Sequence, residues 1–106
     1  MESHTLTAHH APMPDISTVT HDAAAHRFEV DTGAGIGVLT YAERGPALEL
    51  LHTEVPEAAE GQGFAAALAV AALDYARSDG KQVIPSCAFV AGYIQRHPAY
   101  ADHVSR

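Results

Sequence analysis

Val55-Pro56-Glu57-Ala58-Ala59-Glu60-Gly61-Gln62-Gly63-Phe64-Ala65 decides how this chain is read: a β-branched run ends at Val55, two glycines follow, and an alanine-rich helix begins. A strand-to-helix corner of this kind suits phosphate. The first N–H groups of a helix have no partner within it, and the aligned peptide dipoles add partial positive charge, so an anion is held well there. Gly61 and Gly63 allow close approach to bare backbone and tolerate positive φ. The same pattern also occurs as an ordinary strand-to-helix turn.

Outward from that corner the chain divides into alternating and helical stretches. His26-Arg27-Phe28-Glu29-Val30 alternates polar and apolar residues, Gly33-Ala34-Gly35 reads as a turn, and Ile36 to Tyr41 reads as a second strand. After Gly45-Pro46, Ala47 to Val55 is expected to be a third strand. A regular pleat would put Leu48, Leu50, His52 and Glu54 on one face, running from core to polar cleft. Gln62 to about Ser78 carries Phe64, Leu68, Ala71, Ala72 and Tyr75 at helical spacing, with Arg77 in the last turn and Gly80 beyond it. Val83-Ile84-Pro85 predicts a short strand, and Ala88 to about His97 a second helix. The class expected is α+β, in the order β-β-β-α-β-α, mostly antiparallel with one parallel β-α-β unit. A right-handed crossover in that unit brings Cys87 toward the end of the third strand.

Composition narrows the function. The 106 residues suffice for one core, placed at 17–106, and residues 1–16, which contain Pro12 and Pro14, are expected to be a flexible tail. Six Lys and Arg against 13 Asp and Glu give a formal charge of −7, which argues against nucleic-acid and anionic-membrane partners and suits a cationic one. No apolar run approaches the roughly 18 residues of a membrane span, and the start does not resemble a secretory signal. A lone cysteine, Cys87, excludes an internal disulfide and fits the cytoplasm. The eight histidines lack ligand spacing, so no metal site is expected.

Four segments together carry a family signature: His52-Thr53-Glu54-Val55-Pro56, Gly61-x-Gly63, Pro85-Ser86-Cys87, and Val90-Ala91-x-Tyr93-Ile94-x-Arg96-His97-Pro98-x-Tyr100. In this order they resemble the small, single-domain, acetyltransferase-like branch of the GNAT superfamily, the N-acetyltransferase domain-containing 1 branch. The likeness spans about Val19 to Val104. It implies a minimal GNAT-like fold and acetyl-CoA (coenzyme A) as co-substrate, with transfer of the acetyl group to an amine on a small molecule or protein. It further implies that Val55 faces the pantetheine amides and that Gly61, Gln62, Gly63, Phe64 and Ala65 supply N–H groups to the pyrophosphate. Two positions depart from the family: Ala58 replaces the usual Gln or Arg, and Glu60 stands where a basic residue is common. These departures keep open a coenzyme-binding or sensor module without turnover.

Transfer from a thioester to an amine needs a base, stabilisation of an oxyanion, and a proton for the leaving sulfur. Glu54 and His52 are the candidate bases; the other reading is a packed histidine and a solvated edge carboxylate. The resemblance makes Cys87 a candidate nucleophile, favoured if it caps a helix N-terminus, whereas most lone cysteines are small buried hydrophobes. It also makes Tyr93 a candidate acid, although an aromatic at that spacing equally serves the core. Arg96, His97 and Tyr100 either reach cofactor phosphates or anchor the chain end.

Overall fold

The computed structural model describes residues 13–105, so most of the expected tail lies outside the described residues. A five-stranded sheet runs in sequence order: β1 (Thr20–Asp22), β2 (Arg27–Asp31), β3 (Ile36–Arg44), β4 (Ala47–Glu54) and β5 (Gln82–Pro85). The first four strands are antiparallel neighbours, and β5 joins β4 in parallel. Helix α1 (Phe64–Ser78) makes the crossover between β4 and β5, and α2 (Ala88–Arg96) follows β5. The class is α+β as expected, with one strand more than the sequence order predicted.

That extra strand, β1, is three residues of polar sequence, too short to show a period. Tertiary contact makes it: the His21 ring stacks on Phe28 at 4.2 Å, and its Nε2 pairs with the Tyr41 hydroxyl at 2.6 Å. Short 3-10 turns at Ile16–Thr18, Glu57–Ala59 and Pro98–His103 complete the elements.

The core lies between the inward side of the sheet and the two helices. Phe28, Val30, Leu39, Tyr41, Leu48, Leu50 and Val83 from the strands meet Leu68, Ala72, Leu73 and Ala76 of α1 and Val90 and Ile94 of α2 in one cluster. Alanines on the buried stripe of α1 let the helix settle close to the sheet, while Leu68, Val70 and Leu73 are its larger buried side chains. The chain end is tied down as well, because Tyr100 donates to Asp74 at 3.3 Å and lies beneath Arg77. Tyr100 is therefore an anchor on α1.

One expectation fails on β4. Its pairing with β3 shifts between Thr40 and Tyr41: Tyr41 faces Leu50, Thr40 faces His52, and Leu51 is left over as a β-bulge. An extra residue reverses the inward and outward alternation beyond it. Leu48 and Leu50 are buried; past the bulge, Thr53 lies opposite buried Leu39, and His52 and Glu54 turn outward. The four residues expected on one face thus divide between two.

Candidate active site

Beyond the bulge β4 keeps β3 but loses β5. The parallel ladder with β5 covers only Ala47 to Leu50, and its last contact is the Cys87 N–H donating to the Leu50 carbonyl at 2.8 Å. The two strands then part, because the chain turns into α2 at Cys87, and among the described residues no strand lies beside the β5-facing edge of β4 from Leu51 to Glu54. Proline at position 85 agrees with this ending, since it brings no N–H to continue a ladder.

Next to the split stands the glycine corner. Gly61 and Gly63 have φ of 82° and 88°, and Gly63 is the N-cap of α1. The first helical bond is Ala67 N–H to the Gly63 carbonyl, so the six main-chain N–H groups from Gly61 to Ala66 donate to no acceptor among the described residues. They border a cleft of about 360 Å³ lined by Val55, Ala59, Glu60, Gly61, Gly63, Phe64, Ala65, Ala66 and Phe89. An anionic group with an apolar arm fits such a lining: bare amides at one side, Val55, Phe64 and Phe89 at the other. Phe89, one helical turn before Tyr93, is a lining residue that sequence reading missed; its spacing on α2 was the available signal.

A second cleft, of about 490 Å³, adjoins the first through Val55 and Glu60 and is also lined by Ile36, Thr53, Glu54 and Pro56. Glu54 and His52 form an exposed pair, 3.2 Å apart, with side chains 72% and 63% accessible. Of the two, Glu54 reaches a cleft and His52 is its neighbour on the sheet. Glu60 puts a carboxylate at the junction of both clefts, and among the described residues no lysine or arginine lines either of them.

Cys87 is 7% accessible and is the N-cap of α2. Its Sγ lies 3.4 Å from the Thr53 hydroxyl, a partner that the bulge turned inward and that regular alternation did not reveal. Tyr93 is 9% accessible, with its ring stacked on His97 at 4.0 Å and lying 6.5 Å from Phe89, and its hydroxyl has no hydrogen-bond partner among the described residues. The His97 Nδ1–H donates to the Tyr93 carbonyl at 3.0 Å, which fixes this end of α2. Arg96 folds its guanidinium back over Gly92.

Beside the split, Glu49 accepts from the Ser86 hydroxyl at 2.5 Å and from Arg44 Nε at 2.9 Å. The Ser86 bond first, and Arg44 second, hold its carboxyl below the usual range. Among the described residues no group of three or more His, Cys, Asp or Glu could hold a metal ion, and no helix is long and apolar enough to cross a membrane.

A parallel β-α-β unit whose strands part beside an unpaired run of helix-start amides defines an acetyltransferase-like class, and family comparison agrees. Residues 27–103 match the profile of the GCN5-related N-acetyltransferases, and the chain belongs to that family. It is similar to Protein NATD1 of Gallus gallus, 32% identical over 107 residues that cover 92% of this chain and 97% of the relative. Protein NATD1 of Mus musculus and of Homo sapiens are each 34% identical over 83 residues, covering 76% of this chain and 76% and 74% of theirs.

Proposed function

We propose that this protein is an acetyl-CoA-dependent N-acetyltransferase. The observation that carries the reading is the run of six N–H groups, Gly61 to Ala66, unpartnered among the described residues, beside the split between β4 and β5. In this reading Gly61, Gln62, Gly63, Phe64 and Ala65 hold the pyrophosphate through main-chain N–H groups, and Val55 on the free edge of β4 hydrogen-bonds the pantetheine amides. Phe64 and Phe89 shield the arm from water. Acetyl-CoA supplies an acetyl group activated as a thioester.

The chain's own residues do the rest. Cys87, at the N-terminus of α2, accepts the acetyl group on sulfur: its new S–C bond forms as the donor's C–S bond breaks. The amine enters by the cleft that holds Glu54, which takes its proton as nitrogen replaces sulfur on the acetyl carbon. His52 sits against Glu54 as a second proton acceptor. Tyr93, whose hydroxyl has no hydrogen-bond partner among the described residues, is assigned the proton for the departing thiolate. The free cysteine accords with a reducing cytoplasm.

The test is release of free CoA thiol with a panel of primary amines, for the native chain, Cys87→Ala and Glu54→Gln. Acetyl transferred first to Cys87 and then to amine, seen by intact mass, is the expected result, with both variants slowed by about 10²-fold or more. Cys87→Ala at full rate would leave direct attack assisted by Glu54. A second reading, a coenzyme-binding module without turnover, is favoured by the Glu60 carboxylate beside the amide cradle; binding of CoA with no thiol release for any amine would establish it.

A further inference from the structure

Thr53 stands apart from the other inward residues of β4. Leu48 and Leu50 are wholly apolar, whereas Thr53 brings a hydroxyl to the same side, and its one side-chain partner among the described residues is Cys87 Sγ at 3.4 Å. A hydroxyl turned toward a core costs free energy unless it is bonded, and a neutral thiol is a weak partner. Valine has nearly the same shape and a higher strand preference, so packing alone gives no reason for threonine here. Thr53 also lines the cleft that holds Glu54, whereas the sulfur behind it is 7% accessible. The hydroxyl is thus the polar group standing between the buried sulfur and the open end of β4.

We propose that Thr53 is the positioning residue of Cys87: its Oγ1–H donates to Sγ and aims the sulfur at the strand split. This rests on the reading of Cys87 as acyl carrier. In the neutral pair either group can donate, but a thiolate only accepts, so the hydroxyl turns its proton to sulfur when the thiol ionises. The bulge at Leu51 makes the pairing possible, because a regular β4 would present His52 inward in its place.

Cys87 is the chain's one cysteine, so alkylation reports on it alone. The experiment measures iodoacetamide alkylation by intact mass for the native chain, Thr53→Val, Thr53→Ala and Thr53→Ser without coenzyme. Thermal melts confirm which variants are folded, and CoA affinity is measured in parallel. Thr53→Val and Thr53→Ala are expected to react roughly five- to tenfold more slowly at neutral pH, the size of one hydrogen bond. Thr53→Ser should stay within about twofold of native, and CoA affinity should be unchanged. Folded Val and Ala variants that react at the native rate or faster, or a Ser variant as slow as Val, would overturn the assignment. Failure of the native chain to bind CoA would instead sink the acetyltransferase reading, and the alkylation contrast would stand apart from it.

Discussion

At the scale of single residues, positive φ and hydrogen-bonded charge decide most of what can be tested. Gly61 has φ of 82°, and a Cβ built there meets nothing within 4 Å, so Gly61→Ala acts through backbone strain alone. Left-handed backbone costs a β-carbon roughly 1–2 kcal/mol. The loop either bears that strain, which lowers Tm, or relaxes and re-aims its amides, which weakens CoA binding by up to about thirtyfold. Calorimetric titration and a thermal melt together should recover the whole penalty; a variant unchanged in both would show that the amides are not fixed. Glu49 gives the pH dependence. Its carboxyl lies below the usual range in the folded state, so the stability it contributes is present above the unfolded glutamate range and is lost as pH falls through the folded one. Urea melts of the native chain and Glu49→Gln should therefore differ at neutral pH and converge in acid. Ser86→Ala should move the Glu49 carboxyl resonance to titrate at higher pH, since it removes the largest cause of the shift.

At the scale of elements, α1 was legible because Phe64, Leu68, Ala72 and Tyr75 repeat at helical spacing, and all four pack on the core. Leu68 is wholly buried, and Leu68→Ala should cost about 2–5 kcal/mol of stability in a denaturant melt. The approach of Cys87 to β4 was legible for another reason: a parallel crossover has one hand, and the loop after β5 must return beside the strand that precedes α1. Strand β1 was not legible, because three polar residues have no period and the stacking of His21 on Phe28 that docks them is a contact between segments. Nor was the bulge. Leu50-Leu51-His52-Thr53 reads equally well as unbroken alternation, and the offset exists only in the register with β3. That single residue moved Glu54 and His52 to one side of β4 and put Thr53 beside Cys87. The candidate residues could thus be named from the sequence, while their division between two faces required the partner strand.

At the scale of the whole molecule, charge sets the acceptor and donor against each other. The chain carries seven net negative charges, and among the described residues the lining of its two clefts includes Glu54 and Glu60 and no lysine or arginine. On the proposed function, an alkylammonium acceptor would be drawn toward that field, whereas the phosphates of acetyl-CoA would approach against it and be gripped at close range by amides. Salt screens both effects, with a Debye length near 8 Å at about 0.15 M. The two substrates should consequently respond to ionic strength with opposite signs. As salt rises, kcat/KM for a cationic amine is expected to fall and kcat/KM for acetyl-CoA to rise, with a neutral amine changing little in the same series. Glu60→Gln should flatten the acetyl-CoA dependence and tighten CoA binding, because it removes the carboxylate nearest the cradle. Steady-state rates across a salt series, with each substrate varied in turn, check this directly. Parallel slopes for donor and acceptor would mean that the field of the protein does not sort them, and the acidic surface would then have no part in choosing the amine.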